Sequence, residues 1–266
     1  MDRSRLRIHH EGLCFVDHNV DDYPTWSDIT TWSHQAYSYH WYRCKHKGTW
    51  YHSNVFNSFE HDHYFLQMKN DSDHAGPGFG SPLEWIVYAH VYISGVEQVT
   101  IQYWFFWPYN DQFNNHEGDW EHINVVVNVS NEAYPYATQL VYWHHTTYTV
   151  VQPSQVQWVD TYHPRVFTAS GSHANYPNKS SCDSAEFPWG RGCSSHAAEQ
   201  WWTWADGKGS NAGWQGGGTL NMGERNHPFF SMDWIDYGGR WGELGTVPGT
   251  SGPPGPAAKE DSIWFQ

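Results

Sequence analysis

Apolar and polar positions along this chain are spaced for strands far more often than for helices. Residues 83–93 and 99–107 are runs of β-branched and aromatic side chains, and Ser94-Gly95 opens the connection between them, which predicts two adjacent strands. Residues 120–129 and 139–145 predict a second pair, with the turn residues Ser130-Asn131-Glu132-Ala133-Tyr134-Pro135 between them. Residues 150–159 and 165–169 continue the pattern. Beyond Gly171 the chain reads as loops, with residues 197–204 the best helical stretch and a glycine-rich segment at 211–218. Four prolines in residues 245–256 predict an extended tail lying over the surface. Residues 1–80 are polar and histidine-rich, with short aromatic alternations such as Tyr37-Ser38-Tyr39-His40-Trp41-Tyr42 that read as strands. Repeats, heptads and a linker are not evident, so the pattern predicts a mainly β chain. It is expected to form a single-domain antiparallel β-sandwich over residues 1–266, with long loops and one or two short helices.

Composition sharpens this picture. Of 266 residues, 18% are aromatic, including 18 Trp and 17 Tyr, whereas only 16% are charged. Such rings fill a sandwich core, and those left exposed suit stacking on sugar rings. A net charge of −14 with His neutral supplies no basic footprint for a phosphate backbone, which argues against nucleic acid as a partner. No apolar run reaches the ~20 residues of a transmembrane helix, which leaves a membrane surface but not a spanning segment. Oligomeric state is not legible.

Cys14, Cys44, Cys182 and Cys193 form no Cys-x-x-Cys pair. Sequence order favours Cys14–Cys44 and Cys182–Cys193 among three pairings, and disulfides imply a secreted, extracellular protein. No signal peptide is evident, so an exported protein would be numbered after its removal. Sequons at Asn70, Asn128 and Asn178 are about as many as chance gives.

The chemistry concentrates in Asn115-His116-Glu117-Gly118-Asp119-Trp120-Glu121-His122, set against the strand formers Ile123-Asn124-Val125-Val126-Val127. A carboxylate entering a buried strand face must be paired, because an unpaired charge is too costly there. In strand geometry Asp119 and Glu121 share a face, about 7 Å apart at Cα, and Gly118 lets the backbone bend His116 toward them. His116, Asp119 and Glu121, with His173 from the turn Ser170-Gly171-Ser172-His173-Ala174, form a mixed nitrogen and oxygen set. That set suits zinc, manganese or ferrous iron, and, with waters added, magnesium or calcium. A solvated strand edge paired to Arg or Lys is the competing reading, but only 14 basic residues face 28 acidic ones. Glu117, His144, His145 and His173 are the candidates for moving protons. Trp107, Tyr109, Trp143 and Arg240 are the candidates for holding substrate, Arg240 as a bidentate anion ligand or as an ion-pair partner of Asp119 or Glu121. Ser172 beside His173 does not stand in a Gly-x-Ser-x-Gly elbow.

Several of these stretches carry a resemblance. Gln102-Tyr103-Trp104-Phe105-Phe106-Trp107-Pro108-Tyr109-Asn110, His116-Glu117-Gly118-Asp119-Trp120-Glu121, His163-Pro164, Gly171-Ser172-His173-Ala174-Asn175-Tyr176-Pro177 and Gly239-Arg240-Trp241-Gly242 before Pro253-Pro254-Gly255-Pro256 look like the vacuolar protein sorting-associated protein 62 family. The match runs over about residues 83–256 and leaves residues 1–82 as an unplaced extension packed on it. The His-x-Gly-Asp-Trp-Glu stretch is also similar to the Gly-His-Arg-His-Asp-Trp-Glu heptad of necrosis- and ethylene-inducing-peptide-like toxins. That likeness implies a β-sandwich whose acidic and His side chains hold a divalent cation that helps bind membrane sphingolipid glycans. Only Asp119, Trp120 and Glu121 align directly, with Gly118 in place of the second His, and toxicity does not carry over.

Two functions are expected from these readings. The first is a metal-dependent hydrolase or lyase acting on a glycan or phosphate ester in an aromatic-lined cleft, through a water activated on a divalent Mg, Ca, Mn or Zn ion. The alternative is a cation-assisted glycan or lipid-headgroup binding protein without turnover. A third, purely structural role for the acidic cluster remains beside them.

Overall fold

The computed structural model describes the backbone of five short strands within residues 6–68. It also describes residues 87–110, 115–159, 162–169, 171–186, 193, 219–225, 227–229, 232–236, 240–242 and 251–259. The early strands are β1 (Leu6–His10), β2 (Ser33–Tyr37), β3 (Trp41–His46), β4 (Thr49–Asn54) and β5 (Tyr64–Met68). β1 pairs with β5, and β2-β3-β4 make a separate three-stranded antiparallel sheet.

The scaffold of the acidic motif is a six-stranded sheet. Its strands are β6 (Val87–Gly95), β7 (Gln98–Asn110), β8 (His116–Asn128), β9 (Tyr136–His144), β10 (Thr147–Val151) and, after two short strands, β13 (Thr219–Asn221). The order is β10-β9-β8-β7-β6-β13. Consecutive strands pair antiparallel, as expected for hairpin-linked runs. β13 adds in parallel beside β6, so the sheet is mixed and not purely antiparallel. The mainly β, sandwich-like fold expected from the sequence is the fold found.

β8 lies between β7 and β9 and is buried continuously from Glu117 to Val125. Such continuous burial means both of its faces are covered. On one face Ile123 and Val125 pack with Leu140, Tyr142, Val151 and Val156. The opposite face carries an aromatic cluster in which Trp120 stacks on Trp234 at 5.5 Å and meets Trp241 edge-on at 5.2 Å, with Tyr88 and Phe106 alongside. Each such ring contact adds about 0.5–1.5 kcal/mol beyond the area it buries.

β11 (Phe167–Thr168) and β12 (Asn175–Tyr176) form a short hairpin. Beside it runs α1 (Lys179–Glu186), where the sequence pattern predicts loop. Asn178 caps this helix, its Oδ1 accepting from the Ser181 amide at 2.8 Å. The Cys182–Cys193 disulfide forms, and Cys182 packs with Ala169, Ala174 and Tyr176 beneath the hairpin. The expected strand at 150–159 ends at Val151 and gives way to a 3-10 turn at Pro153–Gln155, because two prolines-worth of ladder donors cannot be supplied where Pro153 intervenes.

β14 (Gly223–Glu224) and β15 (His227–Pro228) close a further tight hairpin. The proline-rich tail is not a surface strap along its described length. Gly252, Gly255, Pro256 and Ala257 are buried, and Arg240 bridges to Pro254. Glycine explains the inward course, since a Cβ on Gly255 would stand 2.5 Å from the Trp241 indole nitrogen. The helix expected at 197–204, the mobile segment expected at 211–218 and the Cys14–Cys44 pairing lie outside the described residues. No helix among the described residues is long and apolar enough to cross a membrane.

Candidate functional site

The site grows from a break in β8. Gly118 has φ +68°, and a Cβ there would fall 1.6 Å from the Trp241 carbonyl oxygen, so only glycine allows the two backbones to meet. Gly242 meets Glu117 in the same way from the other side. Glu117 is buried against Gly242. Beyond the bend the strand is regular, and its register pairs Trp107 with Asp119 and Phe105 with Glu121. Asp119 and Glu121 therefore lie on the face of Tyr103, Phe105 and Ile123, while Trp120 and His122 lie on the other.

Each carboxylate receives a histidine from a different loop. His173 Nδ1 stands 3.1 Å from Asp119 Oδ2, and His145 Nδ1 stands 3.0 Å from Glu121 Oε1. His116 turns back on itself, its Nδ1 donating to the Gly118 carbonyl at 2.7 Å. A carbonyl can only accept, so this bond fixes the tautomer and leaves the lone pair of a neutral His116 on Nε2. Such an arrangement is how a metal-ligating histidine is commonly oriented.

Both His145 and His173 have positive φ, 58° and 59°, as does one other non-glycine residue among those described. His145 is the first residue of a two-residue hairpin loop between His144 and Thr147, where the favoured turns require positive φ and glycine or asparagine is usual. A left-handed residue of this kind costs roughly 1–2 kcal/mol. Both strained histidines are the ones that reach the carboxylates.

Trp107 lies parallel to the His173 ring, 3° off with centroids 4.5 Å apart, and holds it flat. Asn110 Nδ2 donates to Asp119 Oδ2 at 3.2 Å and lies 3.5 Å from the Ser172 carbonyl. Asn110 is 1% and Ser172 3% exposed, yet Asn110 Oδ1 and Ser172 Oγ have no hydrogen-bond partner among the described residues. Buried polar oxygens are rarely left so.

Lys259, which pattern reasoning missed, completes the cluster. Its ammonium donates to the carbonyl of Trp120, the residue between the two acids, at 2.8 Å and stands 5.2 Å from the Trp104 ring centre. Burial lowers its pKa, against the fields of Glu121 and Asp119, which favour the charged form. The two carboxyls are driven apart. Burial pushes Asp119 up, but the His173 hydrogen bond and charge, with the fields of His116 and His145, overcome it and leave the group below its ordinary value. Burial and the Asp119 charge hold Glu121 above its ordinary value despite the His145 bond and Lys259.

Other candidates stand apart from this group. His144 bonds Thr149 Oγ1 at 2.8 Å and stacks on Tyr176. Trp143 is buried on the opposite face, stacked on His122, whose pKa burial and Lys259 hold well down. Arg240 donates to the Gly252 carbonyl at 2.9 Å, and neither carboxyl is shifted by its charge. Tyr109 pairs with Glu117 across the strands. Among the described residues no three His, Cys, Asp or Glu side chains already converge as a metal cage.

No family model matches the chain, and no curated protein matches it. The resemblance to the vacuolar protein sorting-associated protein 62 family therefore rests on its motifs alone. Two solved structures show a partial likeness. One, described as a toxin fold for microbial attack and plant defense, is 20% identical over 31% of this chain and 38% of that one, with a TM-score of 0.27. The other, the non-toxic HaNLP3 protein, is 22% identical over 33% of this chain and 37% of that one, with a TM-score of 0.22. The chain thus spans well under half the length of either.

Proposed function

We propose that this site captures a divalent cation and uses it to bind a polar, oxygen-rich ligand such as a glycan or a phosphate group. The observation that carries this reading is the buried pair Asp119 and Glu121 on one strand face, with side chains 8% and 4% exposed. At that depth an ion can reach the carboxylates, whereas a sugar ring cannot; the ligand would meet the ion and the half-exposed His145. The donor set fits such an ion. Asp119 and Glu121 would hold it, helped by His116 Nε2 and by the two unsatisfied oxygens, Asn110 Oδ1 and Ser172 Oγ. Oxygen predominates, which suits magnesium, calcium or manganese over zinc. When bound, the ion supplies positive charge and open positions for ligand oxygens. The chain's own residues do the rest: Trp107 fixes His173, His173 and Asn110 orient Asp119, and His145 orients Glu121.

A second reading, hydrolysis or elimination, draws on the opposite pKa shifts of the two carboxyls, the arrangement that separates a base from an acid in one site. Here Asp119 would accept a proton, and Glu121 or His145 would return one. The Cys182–Cys193 disulfide fits an oxidising, extracellular setting for either reading.

Immobilised glycan and phosphodiester panels, run with and without chelator, separate the two. Retention that chelator abolishes, with the panel compounds recovered intact, is the expected result. Product formation would establish the enzymatic reading, and retention indifferent to chelator would remove the cation from the account.

A further inference from the structure

We propose that Lys259 makes this site selective for an anionic oxygen group, a phosphate or sulfate ester, taken up cooperatively with the cation. The inference deepens the cation-binding reading and rests on it.

The charges require a partner of that kind. Lys259 donates to the carbonyl between Asp119 and Glu121, and its field reaches both carboxylates. The Trp120 carbonyl and the Trp104 ring are both contacts that favour an ammonium over an amine. Two carboxylates and one ammonium leave a single negative charge in a buried place. A divalent cation converts that into a single positive charge, and a surplus charge in a buried site needs neutralising. A neutral sugar hydroxyl supplies none, whereas a phosphate or sulfate ester does. The chain's overall −14 does not offset this, since exposed charges more than about 8–10 Å away are screened by salt. The unpartnered, buried Asn110 Oδ1 and Ser172 Oγ point independently to a ligand at this place.

By the same electrostatics Lys259 is a tethered competitor of the cation. The cation alone binds weakly, and cation and anion each strengthen the other by one common factor.

The test is calorimetric titration of the whole chain with manganese chloride, alone, with methyl phosphate, and with methyl α-glucoside, each against a buffer blank. Methyl phosphate should tighten manganese binding roughly tenfold, and the glucoside should leave it unchanged. In Lys259→Met, which keeps the aliphatic stem, manganese alone should bind more tightly than in the wild type and the effect of methyl phosphate should vanish. An unchanged manganese affinity in the wild type with methyl phosphate overturns the inference, whether or not the variant folds. Equal tightening in a folded Lys259→Met, checked by circular dichroism, overturns it as well. No manganese uptake in any arm instead removes the cation site itself. Co-sedimentation with phosphatidylcholine vesicles only when they carry phosphatidic acid would place the ester on a lipid. Coupling to methyl phosphate without co-sedimentation would place it on a soluble molecule.

Discussion

Asp119 and Glu121 are two residues apart and chemically unlike, and their surroundings are the reason. The Asp119 carboxyl, held below the ~3.9 of a free aspartate, releases its proton more readily in the folded chain than in the unfolded one. Its contribution to stability is complete above about pH 4 and is lost as pH falls through the folded value. Glu121, held above the ~4.3 of a free glutamate, has the opposite sign. Its contribution is complete below about pH 4.3 and is lost as pH rises through the raised folded value. Glu121→Gln should therefore be more stable than the wild type at neutral pH in chelator, and its urea midpoint should lose the decline seen on raising the pH from about 4.3. A midpoint below that of the wild type at pH 7 would contradict this assignment. The carboxylates' place in the motif was legible, because strand periodicity alone puts positions 119 and 121 on one face. Their neutralising lysine was not, since Lys259 reaches Trp120 across 139 positions of sequence.

At the scale of elements, two devices hold the site. The first is the backbone contact of Gly118 with Trp241. Gly118→Ala would force a methyl group into a carbonyl oxygen and should cost on the order of 4 kcal/mol or more by urea unfolding. A cost under about 1 kcal/mol would show that β8 and the 241–242 segment are not locked together. The second is the hairpin carrying His173, which rests on α1 and the disulfide. Replacing Cys182 and Cys193 together by Ala should cost about 2–4 kcal/mol. The double variant should also release His173 from Asp119, seen as a changed imidazole titration by NMR. The strands were readable because aromatic and β-branched residues crowd them. α1 was not, because Lys179-Ser180-Ser181-Cys182-Asp183-Ser184-Ala185-Glu186 has no apolar stripe. Its one signal was the cap at Asn178.

Across the whole molecule, tryptophan does the work that leucine does elsewhere. Trp120, Trp234 and Trp241 bury the face of the sheet opposite the carboxylates, so the core and the site share one strand. Trp120→Ala should destabilise by roughly 3–5 kcal/mol and disturb the site with it, since the carbonyl of this residue seats Lys259. The expected surface tail proved to be part of this core, for a proline-rich segment shows no burial signal until the glycines that admit it are seen against Trp241. The account's central claim is that Asp119 and Glu121 together capture a cation. It is tested most directly by counting bound manganese per chain by equilibrium dialysis, in the wild type and in Asp119→Asn. One ion per wild-type chain and none in the variant is the predicted result. Equal uptake by both proteins, or none by the wild type, would contradict it.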